Sequence, residues 1–524
     1  MAFTACSAPE THVHNYGEWK TVKETSCAEA GLKKRTCSEC GHAESQEIAA
    51  LPHTEEIKKE GFEPTCVNPG QEPETVCTVC GATVKNRKNI PALGHDFKIT
   101  TVVQPDLSTK ALENHKCKRC GFETKQTGNA LSPEKVGLPI MYITGDIENI
   151  SKWREKSVNI SFSGDTDFAC YAVMKVQGNS SQAYDKKNFS IKLYEDEAHT
   201  DKNKLDLGWG KEFKYCLKAN YVDYSQLRNI VSCRLFADVT ATRKKLDPNI
   251  KSLPTYATVD GYPILLYVNG SFHGLYTLNI PKDKWMYGMK DDESKRQAVL
   301  CSERASDYNF LKKPMDSKLT DWEIEHCSTA DTAWVRTSFN NFINFLNNND
   351  GEAFKNGISK YLDVDAAIDT MLFTILINGL DNTAKNINYV TYDGVKWIPV
   401  VYDLDATWGL WWDGTKLMDQ GMLMPTFKNG KYDGNWRYNV LWDKLFENYP
   451  EEIKARYNQL RGSVFTYEHI MGEFEKLEKE IPDIARISEK KRWYAPSCDM
   501  EYMLQIGGYA YNQLLMMDEA INKL

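Results

Sequence analysis

From residue 139 onward the apolar positions fall first at period two and later at helical spacing. Residues 139–144, 158–162, 169–176, 189–193 and 213–217 are short runs rich in β-branched and aromatic side chains, and they predict strands. Residues 226–239 carry Leu227, Ile230, Val231, Leu235 and Phe236 at helical spacing, so a helix is expected there. A hairpin is predicted over 263–278, with Asn269-Gly270 at its turn. Beyond Thr332 the pattern is mostly helical, over 334–348, 364–379, 440–447, 451–461, 467–478 and 499–522. The run from Ala366 to Leu380, interrupted by Asp369, Thr370, Thr374 and Asn378, reads as a buried helix. Strands first and helices later predict an α+β domain over residues 139–524, with a β-rich first part and a helical second part.

A different pattern precedes it. Residues 1–127 hold a repeat of about 40 residues, with copies over about 12–50, 51–90 and 91–125, and a turn-rich linker follows over 128–138. The copies align on Cys37-Ser-Glu-Cys40-Gly41, Cys77-Thr-Val-Cys80-Gly81 and Cys117-Lys-Arg-Cys120-Gly121. Cys-x2-Cys-Gly is a zinc knuckle, in which the turn aims two thiolates at one ion and the glycine lets the backbone fold over it. Copy one offers His14, Cys27, Cys37 and Cys40, and copy two offers His53, Cys66, Cys77 and Cys80. Copy three offers His95, Cys117 and Cys120. It lacks the first cysteine, Asp106 and Ser108 standing in that region, and His115 is the available substitute. Such small modules bury little apolar surface, so structural Zn²⁺ would supply much of their folding energy. Disulfides would leave one thiol over in each three-cysteine copy. The array resembles Cys/His zinc-ribbon-like repeats, ending in Leu-Gly-His, on large surface proteins of Gram-positive bacteria. That resemblance implies an extracellular spacer or adhesion segment.

Length and charge narrow the classes. The 524 residues require at least two domains, and a net charge of −8 without a long basic run argues against nucleic-acid binding. No apolar stretch reaches the roughly 18–20 residues of a membrane span. The first residues lack a signal-peptide pattern, although Phe3-Thr-Ala-Cys6-Ser7 resembles the end of a lipoprotein leader, in which the cysteine is lipidated. Nine of the 15 cysteines precede residue 121, and the scattered remainder (Cys170, Cys216, Cys233, Cys301, Cys327, Cys498) read as small buried apolar residues.

Candidate chemistry centres on two segments. Gly379-Leu-Asp381 is followed by Asn386, and Trp397-Ile-Pro-Val-Val401 leads into Asp403 and Asp405. An Asp, an Asn five residues on and a strand-end Asp about twenty residues later suit phosphoryl transfer. Asp381 would orient the attacking hydroxyl, and Asn386 and Asp403, with Asp405 as a competing ligand, would hold Mg²⁺ or Mn²⁺ on the phosphates of ATP. Lys192 alternates onto one strand face with Asn188 and Ser190 and is a candidate phosphate-binding lysine, with Lys187 and Lys186 in competition. Gly178-Asn179-Ser180 follows a strand and is a candidate phosphate-side turn. Trp408, Trp411 and Trp412 read as core or cleft walls, with carbohydrate binding as the alternative.

These stretches resemble the spore-coat protein H (CotH) kinase family across most of residues 138–430. The matching segments are Val176-Gln-Gly-Asn-Ser-Ser181, Lys187-Asn-Phe-Ser-Ile-Lys-Leu193, Leu217-Lys-Ala-Asn220, Val268-Asn-Gly-Ser-Phe-His-Gly-Leu-Tyr276, Asn378-Gly-Leu-Asp381, Lys385-Asn386 and Val400-Val-Tyr-Asp-Leu-Asp405. The resemblance implies an atypical two-lobed protein-kinase-like fold and a secreted or surface-attached enzyme. Such an enzyme would phosphorylate Ser/Thr of a protein substrate on a cell or spore surface, with possible glycan contact. Two departures stand out. The predicted helix 226–239 has no internal Glu to pair with a nucleotide lysine, and Asn279-Ile-Pro281 stands where many relatives have an acid. They leave open a pseudoenzyme or scaffold, and another nucleotide-dependent transfer such as adenylylation or glutamylation.

Overall fold

The computed structural model describes residues 13–435 and 437–524. Cys6, the candidate lipidation site, lies outside them, as does the side chain of Ser180. The chain forms two units, one running to Gln104 and including Ala111–Gly128, the other comprising Pro105–Lys110 and Asn129–Leu524.

The smaller unit carries one three-stranded antiparallel sheet per repeat, over Lys20–Lys23, Gly31–Thr36 and Ala43–Ile48, then Glu55–Lys59, Glu74–Cys77 and Thr83–Lys85, then Phe97–Val103, Leu112–Cys117 and Glu123–Thr127. Apolar strand residues such as Val22, Ile57 and Val102 face solvent, whereas Cys27, Cys37, Cys66, Cys77 and Cys117 are buried. Thiols stand where an apolar core would be, so apolar burial contributes little to holding these sheets. Gly41, Gly81 and Gly121 have φ of 74°, 73° and 74°, and each amide donates back to the first knuckle cysteine, at 3.0, 2.8 and 3.0 Å. Only glycine enters that left-handed turn without a Cβ penalty.

The larger unit is mixed α/β. Strands β1 (Ile140–Thr144), β2 (Lys156–Ser163), β3 (Phe168–Gln177), β4 (Asn188–Tyr194), β5 (Lys214–Lys218), β6 (Gly261–Val268) and β7 (Ser271–Asn279) close a barrel in the order β1-β2-β3-β4-β5-β7-β6. Six of its seven pairings are antiparallel, and β1 closes the ring in parallel on β6. Alternation drives it: Val158, Ile160 and Phe162 on β2 and Phe189, Ile191 and Leu193 on β4 point into its core. The β6–β7 hairpin turns at Asn269 and Gly270, both with positive φ (49° and 76°), as a two-residue turn demands.

A second sheet follows in the order β9-β8-β10-β11, formed by β8 (Ala298–Ser302), β9 (Trp322–Cys327), β10 (Ile387–Thr391) and β11 (Ile398–Val401). The helices of this unit are α1 (Arg228–Ala241), α2 (Ala333–Asn348), α3 (Val364–Ile377), α4 (Val440–Asn448), α5 (Pro450–Arg461), α6 (Tyr467–Glu480), α7 (Asp483–Arg492) and α8 (Tyr502–Ile521); α3 packs on β11 and α7 on β7. Helix α3 is the buried helix its sequence predicts. Asp363 caps its start by accepting from the Ala366 amide at 2.9 Å, and Asn378 ends it at φ 51°. Its one buried acid, Asp369, is held by Arg243 at 2.5 Å and Arg456 at 2.7 Å. Among the described residues no helix is long and apolar enough to cross a membrane.

Candidate active site and metal centres

Strands β10 and β11 place the acids. They pair antiparallel with Ile387 opposite Val401, so Asn386, just before β10, lies beside Tyr402 and Asp403, just after β11. The Tyr402 amide donates to the Asn386 carbonyl at 3.0 Å, and Asn382 Nδ2 bridges the carbonyls of Asn386 (3.0 Å) and Tyr402 (2.9 Å). Asn386 and Asp403 both adopt left-handed backbone, with φ of 59° and 56°. Non-glycine residues bear strain there, and these bridges hold the two in it. The Leu404 amide donates to Asn229 Oδ1 on α1 at 2.9 Å, anchoring the next turn. Asp381 follows α3 in a short 3-10 turn, half exposed, with its carboxylate 3.0 Å from Lys385 Nζ.

These residues line one wall of a cleft of about 500 Å³. The barrel side contributes Lys218 from β5, Ser190 and Lys192 from β4, and the Gly178-Asn179 turn after β3. Lys218 decides the electrostatics. Its side chain is 7% exposed, and its ammonium sits 2.5 Å from Asp403 Oδ1. Burial works to raise the Asp403 carboxyl, and Lys218 overrides it, holding Asp403 below the usual carboxylate range. Asp405 goes the other way: burial, then the Asp403 carboxylate, push it up to about 7. A buried carboxyl beside a second carboxylate is an arrangement that a divalent cation would relieve. Two carboxylates and the Asn386 amide oxygen are hard donors that fit Mg²⁺ or Mn²⁺.

The family model described as CotH kinase protein matches residues 174–511, from within β3 into α8. The chain belongs to the CotH kinase family. That membership points to an atypical kinase-like phosphotransferase. No curated protein gives a match.

The remaining predicted site residues divide. Lys192 lines the cleft but is partly exposed, and its nearest acid is Glu155 at 3.5 Å. Lys187 is not among the cleft-lining residues; its ammonium donates to the Gln182 carbonyl at 2.7 Å and to that of Tyr184, pinning the turn after β3. Lys186 is fully buried and pairs with Glu489 at 2.6 Å. Gly178 sits at φ 100°, where a Cβ would lie 2.1 Å from Ser181 Oγ, so the turn requires glycine. Asn179 accepts from Lys152 Nζ at 2.7 Å and donates to Glu303 at 2.6 Å. Trp408 is buried and donates to Ser232 Oγ at 2.8 Å, whereas Trp412 is exposed at the cleft. Sequence reasoning missed Lys218 and Asn382. Its signal was a lysine ending the otherwise apolar stretch Tyr215-Cys-Leu217. The carboxylate sought on α1 as the lysine's partner is supplied instead by Asp403 after β11.

In the repeats the ligands regroup. Cys27 lies with His53, Cys77 and Cys80, and Cys66 with His95, Cys117 and Cys120, all ligand atoms within 4.8 Å of one another. The third described cluster is His14, Cys37 and Cys40. This corrects the grouping by copy: each first cysteine belongs to the next copy's set, so the third set is a full Cys3His. The reason is chain direction, because the first cysteine sits in a turn at the far end of its sheet from its own knuckle. His115 is not a ligand; its Nε2 pairs with Glu113 at 2.9 Å. The Cys27–Cys77 and Cys66–Cys117 sulfur pairs are each 3.7 Å apart. Tetrahedral bonds of about 2.3 Å to one Zn²⁺ would separate two sulfurs by roughly 3.8 Å. Amide donors, those of Cys80 and Val79 foremost, draw the Cys77 thiol down to about 5, which favours the thiolate form that a metal binds.

Proposed function

We propose that the larger unit is an ATP-dependent protein kinase of two-lobed design, the barrel forming one lobe and the second sheet with its helices the other. It would transfer the γ-phosphoryl group to Ser/Thr of a protein substrate outside the cell. The observation carrying this reading is the Lys218–Asp403 pair lining one polar cleft together with Asp381. Asn386, Asp403 and Asp405 would hold Mg²⁺ or Mn²⁺, and that ion, when bound, would neutralise phosphate charge.

The protein's own groups have separate roles. Asp381, half exposed and fixed by Lys385 at 3.0 Å, is available to orient an incoming hydroxyl and accept its proton. Lys218 is placed to donate to phosphate oxygens while staying paired with Asp403. The Gly178-Asn179 turn offers backbone amides to the phosphates. Asn382 keeps Asn386 and Asp403 in register by tying their strand ends together. The zinc-ribbon-like repeats fit a surface spacer.

The test is incubation of the full chain with γ-labelled ATP, Mg²⁺ or Mn²⁺ and a mixture of Ser/Thr-containing proteins. Label on protein that disappears in Asp381→Ala is expected. No label, or equal label in both forms, would sink the reading; label from α-labelled ATP alone would replace it with nucleotidyl transfer.

A further inference from the structure

One turn recurs in all three repeats with a different destination each time. The amides of Ser26, Thr65 and Asp106 donate to the carbonyls of Glu29, Asn68 and Thr109, at 3.0, 2.9 and 3.0 Å. Their own carbonyls accept the amides of Leu51, Leu93 and Leu131, at 3.1, 3.0 and 3.0 Å. Their side chains cap the turn: Ser26 Oγ accepts from the Ala28 and Glu29 amides, Thr65 Oγ1 from Asn68, and Asp106 Oδ1 from Ser108 and Thr109. This register aligns Cys27, Cys66 and Leu107.

Cys27 and Cys66 each leave their own copy for the metal set of the next. Leu107 has no next copy. It is 3% exposed in the main hydrophobic core of the larger unit, to which Pro105–Lys110 belongs. Two residues beyond Leu51 and Leu93 stand the ligands His53 and His95, and two beyond Leu131 stands Pro133. Where a fourth repeat would begin, the larger unit begins.

The turn bonds to one helix of that unit. The Leu107 amide donates to Ser488 Oγ at 3.0 Å, and Asp106 Oδ2 meets Lys491 Nζ at 2.5 Å, both on α7. Between them Glu489 pairs with Lys186 at 2.6 Å and accepts the Leu275 amide of β7 at 2.7 Å. One face of α7 thus holds the turn and the barrel wall together. We propose that the 105–110 turn is a working part of the kinase-family unit, in which Leu107 replaces the hand-over cysteine and Asp106 and Leu107 seat α7 against the barrel. This does not rest on phosphoryl transfer.

Hydrogen exchange on the full zinc-loaded chain tests it. In the wild type the Leu107 amide is expected to be protected like those of α7, and far more than the amide of Ala28, an exposed residue bonded only to the Ser26 hydroxyl of its own turn. Leu107→Ala is expected to speed exchange across α7 and at Leu275 and to lower the unfolding midpoint of the larger unit by about 2–6 °C. Leu107→Met should restore both. Asp106→Thr, which keeps the cap as Thr65 does but deletes the Lys491 pair, should give a smaller change in the same sense, and it serves if Leu107→Ala does not fold. A Leu107 amide exchanging as fast as that of Ala28, or a folded Leu107→Ala with wild-type exchange in α7, overturns the proposal.

Discussion

Lys218→Met removes the ammonium from the cleft and keeps a side chain of similar length. At 2.5 Å from Asp403, a unit charge pair in a medium of effective dielectric about 20 attracts by roughly 6–7 kcal/mol before desolvation. The lysine is 7% exposed and Asp403 about a third exposed, so several kcal/mol of that attraction offset the burial of the ammonium. A net loss of about 2–3 kcal/mol in stability is expected without metal. For the reaction the loss is larger, because phosphate charge reorganises next to the missing donor. A fall in kcat/KM of about 1,000-fold corresponds to roughly 4 kcal/mol. Initial-rate transfer of label from γ-labelled ATP, titrated with Mg²⁺, measures it. Binding of Mg²⁺ without nucleotide should not weaken, since Lys218 competes with the ion for Asp403. Lys192→Met, at a partly exposed lysine 3.5 Å from its nearest acid, should fall less than about tenfold. Transfer by Lys218→Met within tenfold of wild type, or a larger loss in Lys192→Met, would refute the assignment.

Asp381→Asn should lower kcat by about 100- to 10,000-fold and leave ATP affinity unchanged within error, since the residue faces the hydroxyl rather than the nucleotide; equilibrium binding beside turnover checks it. Cys66→Ser should unload the ion at His95, Cys117 and Cys120 and spare that at His53, Cys77 and Cys80, and Cys27→Ser should do the reverse, read by native mass spectrometry and site-resolved cobalt spectra. Glu325, facing Lys282, Glu323, Asp283 and Lys214, is pushed up to about 7 by burial first. Its folded value lies above its unfolded one, so its contribution is greatest below about pH 4.5 and is lost as pH rises through 7. Glu325→Gln should therefore stabilise the larger unit by on the order of 1–3 kcal/mol at pH 8 and by little at pH 5, measured by denaturant unfolding.

Periodicity carried most of the larger unit. The barrel strands over 139–217, the Asn269-Gly270 hairpin and the helices at 334–348 and 440–447 lie within a few residues of the structure, because each is decided by local side-chain alternation or spacing. Helix α7 escaped because its exposed residues Lys491 and Arg492 and its buried Arg486, Ser488 and Glu489 give no apolar stripe. Its inward face is polar: Arg486 meets the Ser225 carbonyl and Glu489 meets Lys186. A helix held by buried polar contacts leaves no hydrophobic period to read.

The site shows the same divide. That Asp381, Asn386 and Asp403 lie together was legible, because short loops and one hairpin connect them and sequence spacing suffices for that. Lys218 needed the barrel, whose β5 is a neighbour of β4 and β7, before its ammonium could be placed on an acid 185 residues away. The repeats carry the sharper lesson. Copy three looked defective because it lacks a first cysteine. If each copy's first cysteine completes the next copy's set, the last copy before a different domain needs none, and it should carry there whatever that domain wants. It carries Asp106 and Leu107, an ion-pair partner and a core residue. The missing cysteine was thus itself the signal for a forward hand-over. It was readable in the sequence once the unit of repetition was taken to be the metal set rather than the aligned stretch of chain.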